Sequence, residues 1–115
     1  MSEQFARTRR HAGRPGPSAD QFTGRRVLDE HGLRLGSVSD VVFDTAGVRP
    51  EYLVVTPGPL RAPKYVPLAG AYSTADDRIV VTWDKQWIRH APRVRRKHVL
   101  SNADRRQLEV HYPPG

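Results

Sequence analysis

The sequence of 115 residues contains no cysteine. This absence excludes a disulfide-stabilised scaffold, a zinc site built from thiolates and an enzyme with a cysteine nucleophile. Long apolar runs are missing too, since no segment approaches the ~18 apolar residues that a membrane span requires. The N-terminal MSEQFARTRR has no apolar stretch behind its charges, unlike a secretory signal. We therefore expect a cytoplasmic protein.

Sequence patterns that carry enzyme chemistry are absent as well. Gly24, Gly32 and Gly36 are too widely spaced for a dinucleotide-binding loop, whose glycines fall within about six residues. The five histidines do not occur at metal-ligand spacing. Asp76 and Asp77 are neighbours in a turn-like segment, whereas an acid–base pair faces across a cleft. We expect no enzymatic activity, no metal and no cofactor.

The net charge of +7 is concentrated at the two ends of the chain. Residues 1–21 carry four arginines and two acidic residues, and residues 89–115 carry seven basic and two acidic residues. Residues 22–88 between them carry eight residues of each sign. We expect a balanced folded core with basic extensions. Such extensions attract nucleic acid, acidic protein or anionic lipid, or they only keep the protein soluble.

Short apolar segments alternate with turn residues from residue 22 onward, as is typical of a small β protein. Gly32 can adopt the positive φ of a tight turn, so the first two segments predict a β-hairpin rather than a phosphate-binding loop. Pro67 predicts a sheet edge or a bulge in the fourth segment. Five to six strands are expected, and a barrel is favoured over a sandwich because closure protects edges. The segments are RRVLD, LGSVSDVVFD, EYLVVT, KYVPLAG and RIVVTW.

Two helices are expected after the strands. Asp84 is a candidate N-cap of a short helix that stops before Pro92. Ser101 and Asp104 have the spacing of a capping box at the start of a C-terminal helix. In that helix Leu108 and Tyr112 lie four residues apart and would pack together on the domain.

The order of these motifs resembles the PRC-barrel family, named for the photosynthetic reaction centre. GRRVLDEHGLRLGSVSDVVFD resembles the first two strands of the family, with Gly24, Val27, Asp29 and Gly32 at the matching positions. RPEYLVVTPG, KYVPLAG and DDRIVVTWDKQWIRHAP continue the match, so that residues 22–92 are covered. The resemblance implies a compact β-barrel, closed or partly open.

The resemblance also implies a class of function. Members of the family occur as the H-subunit domain of reaction centres, as a domain of the ribosome maturation factor, and as stand-alone bacterial and archaeal proteins. They share no catalytic constellation, so the resemblance implies an adaptor. We expect a disordered basic arm at 1–21, the PRC-barrel domain at 22–92, and a basic connector with a C-terminal helix and tail at 93–115.

Aromatic residues are the candidates for contact with a protein partner. Trp83 and Trp87 bracket the junction between the last strand and the short helix. They either pack the core and lid of the barrel or form an anchor on a binding surface. Tyr52 and Tyr65, on the third and fourth strands, are included as protein-binding candidates.

Basic residues after the barrel are the candidates for contact with phosphate or another anion. They form the segment RVRRK and comprise Arg93, Arg95, Arg96 and Lys97. No stacking aromatics or reading motif accompany them, so sequence-specific recognition of nucleic acid is not supported.

The leading hypothesis is a non-catalytic module that binds another protein, or a second copy of itself, through a strand edge or an aromatic rim. The alternative is a nucleic-acid- or ribosome-associated factor whose basic tails contact phosphates. Peripheral association with anionic membrane is the least favoured hypothesis.

Overall fold

The computed structural model describes residues 3–4, 19–56, 62–94 and 100–113. The elements are β1 (Glu3–Gln4), a 3₁₀ turn (Ala19–Gln21), β2 (Arg26–Leu28), β3 (Arg34–Phe43), β4 (Pro50–Thr56), β5 (Lys64–Pro67), β6 (Tyr72–Ser73), β7 (Ile79–Val80), α1 (Lys85–Arg89) and α2 (Asn102–His111). The strands form one sheet in the order β1-β6-β7-β2-β3-β4-β5, to which the predicted barrel region contributes six strands. The end strands β1 and β5 do not pair with each other in the described part of the chain, so the sheet is open there and the closed form of the predicted barrel is not seen.

Strands β2 and β3 form the predicted hairpin. They are antiparallel, with Val27 opposite Gly36. The Asp29 N–H donates to the Leu33 carbonyl at 3.0 Å, and Gly32 adopts a φ of +81° in the turn between them. A side chain is rarely tolerated at this φ, which explains the glycine. The hairpin interpretation is confirmed.

Strands β3, β4 and β5 continue the sheet as an antiparallel meander. In β4 the four residues from Tyr52 to Val55 are all buried. Since successive side chains of a strand point to opposite faces, β4 is covered on both sides. Strand β5 lies at one edge of the sheet and ends at Pro67. The predicted edge position of this proline is therefore confirmed.

Strand β7 pairs with β2 in parallel, with Val27 beside Ile79. The pairing continues past the strand, where the Val81 N–H donates to the Leu28 carbonyl at 3.0 Å. Parallel neighbours need a long connection, which here runs through β3 to β6. The pairing brings the start of α1 next to the β2–β3 hairpin.

Both helices begin at the predicted caps. The Asp84 carboxylate accepts the Trp87 N–H at 2.8 Å and starts α1. At α2, the Asp104 N–H donates to the Ser101 hydroxyl at 3.1 Å, and the Ser101 N–H donates back to the Asp104 carboxylate at 3.3 Å. The predicted capping box is therefore confirmed. No helix in the described ranges is both long and apolar enough to cross a bilayer.

A single apolar core joins the sheet and both helices. Its fully buried side chains come from several elements and include Val27, Leu53, Val66, Ile79 and Leu108. Tyr112, just after α2, belongs to the same core and is 5% exposed. Leu108 and Tyr112, the two residues expected to pack on the domain, both lie in this core. The limits of the predicted N-terminal arm and of the connector stay predictions, since most of those residues lie outside the described ranges.

Candidate functional site

An aromatic cluster joins α1 to the end of α2. The ring of Trp83 stacks on that of Trp87 at a centroid distance of 5.9 Å and meets the edge of Tyr112 at 5.0 Å. The His111 ring lies 5.4 Å from Trp87 and 4.8 Å from Tyr112. Two of these rings come from the end of α2 and two from the β7–α1 junction. The cluster therefore packs residues that are far apart in the chain.

Trp87 and His111 also exchange hydrogen bonds between side chain and backbone. The Trp87 Nε1–H donates to the His111 carbonyl at 2.7 Å, and His111 Nε2 lies 2.7 Å from the Trp87 carbonyl. A carbonyl only accepts, so this imidazole nitrogen carries the hydrogen. The pair clamps the last turn of α2 against α1.

Replacing Trp87 with phenylalanine should loosen this clamp. The variant keeps an aromatic ring against Trp83 but loses the indole donor, leaving the His111 carbonyl to water. We expect a loss of about 1 kcal/mol in the free energy of unfolding, the usual value for one hydrogen bond. Hydrogen exchange should speed up at the last turn of α2 and not in β3 or β4. Unchanged exchange at that turn would contradict the clamp.

Tyr52 and Tyr65 lie inside the molecule, at 7% and 3% exposure. Their rings meet edge to face at 6.2 Å, and the Tyr112 hydroxyl donates to the Tyr65 carbonyl at 2.7 Å. Burial raises the pKa of Tyr52, helped by Glu51 and Glu109, and burial with Asp104 raises that of Tyr65. Burial likewise raises the pKa of Tyr112.

Two contacts tie the C-terminal helix to the strands that carry these tyrosines. Arg105 of α2 pairs with Glu51, the residue before Tyr52 in β4. Tyr112, the residue after α2, donates its hydroxyl to the Tyr65 carbonyl of β5. The two tyrosines predicted to contact a partner are therefore buried in the core rather than exposed.

Arg105 fixes α2 on β4. Its guanidinium forms an ion pair with Glu51 and donates to the Phe43 carbonyl at 3.2 Å. The side chain of Arg105 is largely buried, at 17% exposure. A partly desolvated guanidinium with two acceptors holds position better than a surface ion pair.

A groove remains open on the outer side of the two helices. Its volume is about 860 Å³, and Trp87 and Val110 line it at 45% and 82% exposure. His90 contributes from the end of α1, and Arg106 contributes from α2. Of the four aromatic residues predicted to contact a protein, only Trp87 presents a large exposed surface to this groove.

The charged residues of the groove are mostly basic or potentially basic. Arg106, His90 and His111 line it together with one carboxylate, Asp84. That carboxylate already accepts the Trp87 N–H as the N-cap of α1. The exposed wall is therefore apolar, and its border carries one arginine, one carboxylate and two histidines.

The predicted anion-contact residues are described only in part. Arg93 forms an isolated antiparallel bridge with Lys64, and the adjacent Val94 N–H donates to the Pro63 carbonyl at 3.2 Å. Arg93 and Val94 thus lie beside the start of β5. Arg95, Arg96 and Lys97 lie outside the described residues.

Asp29 is a structural centre that sequence analysis did not single out beyond the family resemblance. One carboxylate oxygen accepts the His31 and Leu33 N–H groups at 2.9 Å each, and the other accepts the Lys85 N–H at 3.0 Å. The residue is 1% exposed. The available signal was an acidic residue at the end of the first predicted strand, shortly before the turn glycine Gly32.

Two further carboxylates, those of Asp76 and Asp44, serve turns. Asp76 accepts a hydrogen bond from the Thr74 hydroxyl, and Asp44 accepts the Val48 N–H at 2.9 Å. In the part of the chain that the structure describes, no group of three histidine, aspartate or glutamate side chains could hold a metal ion.

Comparison with known proteins identifies a family. The family model described as the PRC-barrel domain matches residues 18–88, close to the 22–92 covered by the resemblance. The search of curated proteins found no match.

Proposed function

The chain belongs to the PRC-barrel family, and we propose that it is a non-catalytic module that binds another protein. The family match supports a general domain-type role, and the exposed groove between α1 and α2 supports protein binding in particular. The single observation that carries the proposal is the exposure of Trp87 and Val110 in that one groove. Tryptophan is enriched among the residues that dominate binding energy at protein interfaces.

The border of the groove indicates the chemistry of the partner. Arg106 and the two histidines of the groove surround its apolar wall. An acidic segment with one large apolar side chain complements both features. The apolar side chain would contact Trp87 and Val110, and the acidic residues would lie near Arg106, where charge complementarity speeds association.

The strand edge is a weaker route to a partner than the helical groove. Strand β5 has only four residues and ends in a proline, which has no N–H to donate. Its first residue, Lys64, is already bridged by Arg93. Short, proline-terminated and partly covered edges discourage strand addition.

Substitutions on the groove test the proposal without disturbing the core. The wild type, a Val110→Asp variant and a Val48→Asp control would each be used to capture partners from nuclease-treated lysate of the source cells. Val48 is 60% exposed in the β3–β4 turn, so its variant carries the same new charge on another surface. We expect Val110→Asp to lose at least ten-fold of a protein that the wild type and the control both retain. Equal retention by all three proteins would reject the groove.

The alternative is a nucleic-acid- or ribosome-associated factor. The placement of Arg93 beside Lys64, with both side chains outside any described ion pair, favours contact with phosphate. Binding would then fall steeply with salt, since each phosphate contact releases counterions. Loss of all captured protein after nuclease treatment would support this alternative, and capture of a second copy of the chain would indicate self-association instead.

A further inference from the structure

A second cavity lies between the sheet and α1, away from the groove. Its volume is about 360 Å³, within the range of small-ligand sites. Leu35 of β3, Val55 of β4 and Ile88 of α1 form an apolar wall, and each of these side chains is at most 5% exposed. A ligand in the cavity would therefore meet buried core residues on one side.

Four cations and Ala62 complete the lining of the cavity that the structure describes. Lys85 and Arg89 lie four residues apart on α1, so their side chains share one side of the helix. Lys64 and Arg93 are brought together by their backbone bridge. Three separate segments of the chain thus place positively charged side chains around one cavity.

No carboxylate is paired with these cations among the described residues. The ion pairs of that part of the chain join Arg25 to Asp77, Arg78 to Asp76, and Arg105 to Glu51. None of the four cations takes part in them. The cluster therefore differs from these three arginines, each of which has an acidic partner.

The nearest buried acid does not neutralise the cluster. Asp29 receives the Lys85 backbone N–H, and its remaining oxygen accepts two further backbone N–H groups. Its carboxylate is engaged with backbone groups, and no ion pair with the Lys85 ammonium occurs in the described residues.

Lys64 is held in place at the wall of the cavity. Its Nζ donates to the Ala91 carbonyl at 2.6 Å, which leaves two of its three N–H groups for other acceptors. Partial burial lowers the pKa of Lys64, and the charge of Arg93 lowers it further. A bound anion would offset both effects.

We propose that this cavity binds a small organic phosphate, with the phosphate among Lys64, Lys85, Arg89 and Arg93 and the apolar body on the wall of Leu35, Val55 and Ile88. A phosphate group with two negative charges complements a cluster of four cations better than a carboxylate with one negative charge does. The arginine guanidinium also fits phosphate oxygens in pairs. This inference is independent of the proposed protein-binding groove, because the two cavities have no described lining residue in common.

The test uses the full chain and three probes. They distinguish binding of the phosphate group from binding of the apolar group. Isothermal titration would measure binding of 1-naphthyl phosphate, inorganic phosphate and 1-naphthol. We expect 1-naphthyl phosphate to bind in a saturable manner with one site, at least ten-fold tighter than either fragment. Lys64→Gln and Arg89→Gln should each weaken that binding five-fold or more. Arg89 is exposed, so its variant keeps the test meaningful if the Lys64 variant is unstable.

Arg49→Gln provides the matched control. Arg49 is exposed in the β3–β4 turn and its substitution removes the same unit of charge away from the cavity. Its affinity should stay within two-fold of the wild type. Equal weakening in the control, or equal affinity for inorganic phosphate and the naphthyl ester, would mean attraction to net charge alone and overturn the proposal. Saturation by a single-stranded oligonucleotide without saturation by 1-naphthyl phosphate would overturn it in favour of a nucleic-acid backbone.

Discussion

Replacing Asp29 with alanine is expected to lower the free energy of unfolding by about 3 kcal/mol. The substitution leaves the N–H groups of His31, Leu33 and Lys85 without their acceptor. Each unsatisfied N–H in a part-buried site costs about 1–3 kcal/mol, less what water recovers. The loss should be large because a single side chain ties the β2–β3 turn to the start of α1.

An asparagine at the same position separates the two connections. The asparagine side chain would keep one carbonyl oxygen for the turn, but its amide NH₂ would face the Lys85 N–H, which needs an acceptor. We therefore expect Asp29→Asn to be destabilised by about half as much as Asp29→Ala. Urea denaturation followed by circular dichroism would measure both variants.

Asp44→Ala is the control for a carboxylate in a turn. Asp44 also accepts a backbone N–H, that of Val48, but it sits in the surface turn between β3 and β4. The free energy of unfolding should fall much less in Asp44→Ala than in Asp29→Ala. Equal losses at the two positions would mean that Asp29 acts only as an ordinary turn residue.

The contribution of Asp29 should depend on pH. Burial alone would raise the pKa of this carboxyl group, but hydrogen bonds from the backbone N–H groups of Leu33, Lys85 and His31 outweigh burial and lower it. A lowered folded-state pKa means that the stabilisation is complete above the unfolded pKa of about 3.9 and is lost as pH falls through the folded value. The difference between wild type and Asp29→Ala should therefore be largest near neutral pH and shrink in acid.

Local signals in the sequence were sufficient for much of the fold. Gly32 marked the hairpin turn, Pro67 marked a sheet edge, and Ser101 with Asp104 marked the start of α2. In each case the deciding feature is a property of one residue or an interaction between residues a few positions apart. Such features can be recognised from the positions of residue types along the chain, so a single sequence is enough to predict them.

Interactions between distant segments were not predictable in the same way. The parallel pairing of Val27 with Ile79 and the closeness of Lys64 to Arg93 depend on how the sheet is ordered. Sheet order is set by the combined burial of many apolar residues, and no short motif encodes it.

The sequence also could not predict which of the candidate aromatic residues are exposed. The strand patterns of β4 and β5 identify Tyr52 and Tyr65 as strand residues, but they do not reveal what lies over them. That depends on α2 and the residue after it, Tyr112, whose hydroxyl donates to the Tyr65 carbonyl 47 positions earlier in the chain. Trp87 stays exposed because it lies on the outer side of the same helix pair.

The second large effect on stability is expected at Leu108, the buried residue by which α2 packs on the core. This side chain is 0% exposed and belongs to the same core as the sheet. Leu108→Ala should lower the free energy of unfolding by about 3 kcal/mol, since such substitutions lose transfer energy and leave a cavity. Val110 is 82% exposed on the same helix, so Val110→Ala changes helix composition without creating a cavity. Its stability should stay within about 0.5 kcal/mol of the wild type.

The cooperativity of unfolding tests whether α2 is part of the domain or a separate cover. Trp83 and Trp87 report on the contact between α1 and α2, whereas far-ultraviolet circular dichroism reports on the whole chain. Because Leu108 shares one core with β2, β4 and β7, we expect the fluorescence and dichroism transitions to coincide, in the wild type and at lower urea in Leu108→Ala. A fluorescence transition that precedes the dichroism transition would mean that α2 leaves an intact sheet. In that case Tyr52 and Tyr65 would become accessible to a partner while the sheet stays folded.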